Sequence, residues 1–121
     1  MTSILIVEDD DEIRELLAEM LAECGYLVAT ARNGEEGLER LRTGSRPDVV
    51  LLDLMMPVMD GWQMRAAMLA DAALRTIPVV IVSGAADLED SVERLEAAAA
   101  LTKPVKWPIL LASVRTHAGA P

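Results

Sequence analysis

Val49-Val50-Leu51-Leu52-Asp53-Leu54-Met55-Met56-Pro57 is the stretch on which the fold turns: four apolar residues run straight into a carboxylate. Three other runs have the same form. Ile4-Leu5-Ile6-Val7 stops at Glu8-Asp9, Val79-Val80-Ile81-Val82 stops at Ser83, and the shorter Ala100-Leu101-Thr102 stops at Lys103-Pro104. Continuous Val/Ile/Leu runs bounded by polar breakers read as strands buried on both faces, which is how parallel strands look. In open α/β sheets, sites form just outside the carboxyl ends of the strands. Parallel pairing would therefore bring three carboxylates, one hydroxyl and one ammonium to one sheet edge. That set suits a hard divalent cation and a phosphoryl group.

Between the runs the apolar period changes from continuous to three-four. Ile13, Leu16, Leu17, Met20, Leu21 and Cys24 predict one apolar helix face over Glu12 to Glu23, with Gly25 as the stop. Leu27 to Ala31 reads as a second strand, and Asn33 can cap a helix running to about Thr43. A helix is expected from Trp62 to Ala70, another from Asp87 to Ala98 with Leu88, Val92 and Leu95 inward, and a last one from Pro108 through Val114. Leu101 centres a weak fifth strand, and Gly119-Ala120-Pro121 reads as a frayed tail. Strand and helix thus alternate five times, implying a parallel sheet with helices on both faces and right-handed crossovers. We expect one domain over 1–118, with 119–121 as its tail.

The composition narrows the function. Twenty acidic against 11 basic residues give a net charge of −9. Nonspecific nucleic-acid binding needs a basic surface, and docking on an anionic membrane needs the same, so both are excluded. One cysteine, Cys24, leaves no internal disulfide and no cysteine-based zinc site, and its place on the helix stripe reads as a core thiol. With no apolar stretch long enough to span a bilayer and no signal-like start, cytoplasmic residence is the default.

Glu8, Asp9 and Asp53 at one edge would repel one another, and Mg²⁺ would relieve the repulsion. Asp10 and Asp11 read instead as acids favouring the start of the first helix, and Asp60 as a cap or turn residue. Asp53, ending a buried run, suits a nucleophile of the aspartyl-phosphate kind. Ser83 can donate to a phosphate oxygen, although Ser-Gly after a strand is by itself an ordinary turn. Lys103 can stabilise phosphoryl charge, although alone it would read as a surface lysine. His117 suits a helix C-terminus, and Met55, Met56 and Met59 suit core and loop packing.

Taken together, Ile4 to Asp10, Asp53-Leu54-Met55-Met56-Pro57 with Met59-Asp60-Gly61, Pro78 to Gly84, and Leu101-Thr102-Lys103-Pro104 resemble the receiver domain of bacterial two-component response regulators. The resemblance spans nearly the whole chain. It implies a flavodoxin-like (βα)5 fold with strand order 2-1-3-4-5. It makes Asp53 the phosphoacceptor, and Glu8, Asp9, Asp53 and the Met55 main-chain carbonyl the ligands of Mg²⁺, with Mn²⁺ an alternative. Ser83 and Lys103 would bind phosphoryl oxygens, and the Lys103-Pro104 peptide would be cis. The donor would be a sensor histidine kinase or a histidine phosphotransfer protein. Output to a downstream protein would use the face of the fourth helix, fifth strand and fifth helix, from a monomer or weak homodimer. The chain would be a signalling domain that assists its own phosphorylation and dephosphorylation, not an enzyme.

Departures from the family pattern are few. Many members carry an aromatic three residues before the lysine; here that position is Ala100, so the usual aromatic coupling is expected to be missing. Glu8 stands where Asp is commoner. Met55 and Ala85 hold positions that tune phosphoryl lifetime in the family. Trp107 is expected to be a half-buried packing residue at a helix entry. Two rival readings stay in view. One is a phosphorylation-independent scaffold, supported by Ala100. The other is an aspartyl-phosphate phosphohydrolase, opposed by Met55 where such enzymes carry a second acid.

Overall fold

A computed structural model of the chain describes residues 1–84 and 92–121. The apolar runs form β1 (Ser3–Val7), β2 (Leu27–Ala31), β3 (Val49–Leu52), β4 (Val79–Ser83) and β5 (Ala99–Thr102). All neighbours pair in parallel, in the order β2-β1-β3-β4-β5. The helices are α1 (Asp11–Glu23), α2 (Gly34–Thr43), α3 (Gly61–Leu69) and a C-terminal α4 (Trp107–Ala118). This is the flavodoxin-like sheet the sequence implied.

The continuous runs split by parity into two cores. Leu5, Val7, Val50, Leu52, Val79 and Ile81 pack with Leu38, Leu41, Met64 and Met68 of α2 and α3. Ile4, Ile6, Val49, Leu51, Val80 and Val82 pack with Leu21 of α1 and with Leu110 and Val114 of α4. Successive side chains of a strand point to opposite faces, so a strand covered on both must be apolar at every position.

Local chemistry sets the helix ends. Asp10 accepts from the Ile13 N–H at 3.0 Å, and Asn33 accepts from the Glu36 N–H at 2.9 Å. Asp60 and Gln63 form a reciprocal capping box on α3. At the end of α1, Gly25 takes φ +102°, the Gly25 N–H reaches the Ala22 carbonyl and the Tyr26 N–H reaches the Leu21 carbonyl. That is a Schellman ending, and its left-handed residue favours glycine. Pro108 sits in the first turn of α4, and Trp107 is a half-buried residue at its start, as expected.

Three expectations need correction. The inner face of α1 is not the full apolar stripe: Ile13 and Leu16 are exposed, Leu16 at 57 %, while Arg14 turns inward above Leu17, Ala18 and Leu21. The helix expected to reach Ala98 stops at residue 94. Glu96 adopts φ +50°, its N–H meets the Glu93 carbonyl, and the Ala97 N–H meets the Val92 carbonyl. The Ala98 N–H then donates to the Val79 carbonyl, so sheet pairing claims the alanine run over its helix propensity. The beginning of that helix, with Leu88, and the Ala85 position lie outside the described residues. The tail, expected to fray, is held: Tyr26 Oη donates to the Gly119 carbonyl at 2.8 Å, and Thr2 Oγ1 to the Ala120 carbonyl at 2.5 Å.

Candidate functional site

The ladder runs one step beyond the strands, and that step builds the site. The Glu8 N–H donates to the Ala31 carbonyl at 3.0 Å, the Asp53 N–H to the Val7 carbonyl at 3.0 Å, and the Lys103 N–H to the Ser83 carbonyl at 3.1 Å. Since Val7 pairs with Leu52 and Ser83 with Thr102, the residues that follow emerge side by side at the carboxyl edge. Glu8, Asp53 and Ser83 are buried there, and Asp9 is exposed. The Lys103-Pro104 peptide is cis.

The loop after Asp53 is held close to it. Met55 N–H donates to Asp53 Oδ1 at 3.2 Å, while the Met55 side chain is 66 % exposed rather than packed. Met56 and Met59 do pack against the core. Gly61 N–H donates to the Leu54 carbonyl at 3.0 Å. A Cβ on Gly61 would overlap the Asp53 carbonyl oxygen and lie 2.8 Å from Leu54 Cα, so only glycine lets α3 start this near the phosphoacceptor candidate.

The electrostatics follow from crowding. One carboxylate oxygen from each of Glu8, Asp9 and Asp53 lies within 4.8 Å of the others. Lys103 Nζ donates to Asp53 Oδ2 at 3.2 Å and closely to Glu8 Oε1. Burial pushes the Glu8 carboxyl up from 4.5 to about 7, and its hydrogen bond and repulsion with Asp53 add to that, outweighing the pull of Lys103. Burial works to lower the Lys103 pKa, but its bond to Glu8 and the charge of Asp53 outweigh it and hold the ammonium above its ordinary range. Hard oxygen donors, clustered and short of positive charge, fit a small divalent cation.

Sequence reading missed two arginines. Arg14 donates through Nη1 to the main-chain carbonyls of Glu8 at 3.0 Å and Asp9 at 3.4 Å, and pairs with Asp11 through Nη2. Arg65 of α3 donates through Nε to the Leu95 carbonyl at 2.8 Å and through Nη2 to the Glu96 carbonyl at 3.1 Å. Burial lowers the Arg65 pKa, partly offset by the charge of Glu96. Neither role leaves a mark in the sequence beyond an arginine at a helical spacing, which ordinarily means a solvated face.

A flavodoxin-like sheet whose edge acids are compatible with Mg²⁺ and with phosphorylation of an aspartate defines a class: signalling domains controlled by phosphoryl transfer. The family model of the response regulator receiver domain matches residues 4–115, and the chain belongs to that family. It is 39 % identical over 118 residues to the transcriptional regulatory protein AfsQ1 of Streptomyces coelicolor, covering 95 % of this chain and 50 % of that protein. It is 38 % identical over 116 residues to the protein PilH of Pseudomonas aeruginosa, covering 94 % of this chain and 95 % of that one. Among solved structures, the response regulator protein TrrA of Thermotoga maritima, in complex with Mg²⁺ and BeF, is similar with TM-score 0.84 and 29 % identity. That match covers 96 % of this chain and 98 % of that one. The chain spans about half the length of the first curated relatives it matches. Receiver domains of response regulators interact with histidine kinases. Among the described residues no helix is long and apolar enough to cross a membrane.

Proposed function

We propose that Asp53 is the phosphoacceptor of this receiver domain. An Asp53 carboxylate oxygen attacks the phosphorus of a phosphohistidine on a sensor histidine kinase or a histidine phosphotransfer protein. The P–N bond breaks, the imidazole leaves and takes up a proton, and an acyl phosphate remains on Asp53. Glu8, Asp9, Asp53 and the Met55 main-chain carbonyl are the residues to hold Mg²⁺, or Mn²⁺. The ion, when bound, neutralises charge on the transferring group. Lys103 supplies a point charge to the phosphoryl oxygens, and the Ser83 hydroxyl a hydrogen bond. Catalysis is positioning and charge neutralisation, and the same pocket assists later hydrolysis of the acyl phosphate.

One observation carries this reading: carboxylate oxygens of Glu8, Asp9 and Asp53 lie within 4.8 Å of one another. The unit that does this is 1–118, in the cytoplasm, as a monomer or weak homodimer. Its output to a downstream protein runs through β5, α4 and the helix preceding β5. Ala100, half-buried on β5, favours a second reading, a receiver-like scaffold that works without phosphorylation.

Intact mass after incubation with acetyl phosphate and Mg²⁺ tests the reading, with Asp53→Asn and a chelator as controls. The expected result is a single phosphate adduct that needs both Asp53 and the metal. No adduct despite measured Mg²⁺ binding selects the scaffold. Turnover of small phosphate esters selects the phosphohydrolase.

A further inference from the structure

We propose that Arg14 is a positioning residue for the cation site, acting through the main chain of Glu8 and Asp9. This rests on the reading that those two residues, with Asp53, hold a divalent cation.

The observation is a charge where none is expected. Arginines on outward helices normally keep the guanidinium in water. Arg14 is only 9 % exposed. Its Nη1 takes the carbonyls of two consecutive residues, Glu8 at 3.0 Å and Asp9 at 3.4 Å, and its Nη2 pairs with Asp11. Two adjacent peptide planes are thereby tied to one planar group. The carboxylates of those same residues converge with Asp53. Asp10 is held in the same loop as the cap of α1, and its N–H donates to Glu8 Oε2 at 3.4 Å. The loop that presents two ligands is thus fixed from its carbonyl side, leaving the carboxylates of Glu8, Asp9 and Asp53 to face a cation.

Two cations flank the acids, and they divide the work. Lys103 binds carboxylate oxygens of Glu8 and Asp53, the atoms a metal would need. Arg14 binds carbonyls and the carboxylate of Asp11, and takes no oxygen from Glu8, Asp9 or Asp53 side chains. The guanidinium spreads these bonds over two nitrogens of one rigid plane, Nη1 on the carbonyls and Nη2 on Asp11, whereas an ammonium has all its donors on one atom.

The sign of the effect separates positioning from charge. A fixed positive charge repels Mg²⁺, so if Arg14 acted by charge alone its removal would tighten binding. If it positions the loop, removal weakens binding. Groups that orient metal ligands typically contribute about 10-fold to 100-fold in affinity.

Mg²⁺ titration by calorimetry on the parent, Arg14→Gln and Arg14→Lys decides the matter. Melting of each in chelator reports the integrity of the fold. Arg14→Gln is expected to weaken Mg²⁺ binding about 10-fold or more. Arg14→Lys, which keeps the charge and loses the fork, should fall between it and the parent. In acetyl phosphate labelling, the Mg²⁺ needed for half-maximal rate should rise by the same factor, with saturating Mg²⁺ restoring the rate toward the parent's. Binding by Arg14→Gln as tight as the parent's, or tighter, overturns the proposal. Should Arg14→Gln fail to fold, Arg14→Lys decides: parent-like affinity there overturns it, and weakened affinity in a folded protein supports it. If the parent binds no Mg²⁺, the cation-site reading falls and this inference with it. A parent that binds, beside unchanged variants, removes Arg14 alone.

Discussion

The Glu8 carboxyl is buried beside Asp53 and takes the ammonium of Lys103, so two acids share one cation. Substitutions on the two sides of this cluster should act in opposite directions. Asp53→Asn removes a like charge that holds the Glu8 pKa up, and is expected to stabilise the metal-free protein by about 1 kcal/mol, a few degrees in Tm. Lys103→Met leaves both acids uncompensated and should cost roughly 1–3 kcal/mol, discounted for a lysine that is a quarter exposed. If the ion pair were simply stabilising, both variants would melt lower. Thermal melts in chelator at neutral pH check this, and a lower Tm for Asp53→Asn than for the parent counts against crowded acids. At this scale Glu8, Asp53, Ser83 and Lys103 were legible because each ends a strand, where side-chain placement follows from the ladder. Arg14 was not, because nothing in a helical spacing says which carbonyls will need a donor.

The α3 helix shows what an element adds to its residues. Its start is bound to the strand that carries Asp53 through the Gly61 N–H and the Leu54 carbonyl. One turn on, Arg65, 3 % exposed, closes the end of the segment leading into β5 by binding the Leu95 and Glu96 carbonyls. Arg94 stacks over Trp62 at 5.1 Å on the same contact. Arg65→Met should keep most of the packing yet leave two carbonyls without their donors, costing about 2 kcal/mol in urea unfolding. Faster amide exchange at Ala97 and Ala98 should accompany the loss. Parent-like stability would mean that these carbonyls are satisfied in another way. Existence and type of α1, α2, α3 and α4 were legible from period and caps. The facing of α1 was not: the helix is rotated so that Arg14 and Ala18 turn inward, and Ile13 and Leu16 on the other flank of the apolar stripe are left outside. The early stop at residue 94, before Glu96, was hidden for a different reason. A left-handed glutamate carries no sequence signal, and four alanines favour helix until β4 offers a ladder.

For the molecule as a whole, the cluster makes stability depend on pH in a direction opposite to the usual carboxylate. Glu8 keeps its proton to about pH 7 in the folded chain and to about 4.5 when unfolded. Between those values the folded state binds more protons, so stability must fall as pH rises through the window. The full shift corresponds to roughly 3–4 kcal/mol, present below about pH 4.5 and gone above about pH 7. A bound divalent cation needs the carboxylate form, so its affinity should rise across the same window and its stabilisation should offset the loss. Melting of the parent and Glu8→Gln from about pH 5 to about pH 8, with chelator and with saturating Mg²⁺, isolates the term. The difference between parent and Glu8→Gln should shift against the parent as pH rises in chelator, and Mg²⁺ should reverse the slope. A difference that stays flat with pH in chelator would mean that Glu8 is already ionised in the folded chain, with Lys103 and not a proton balancing it.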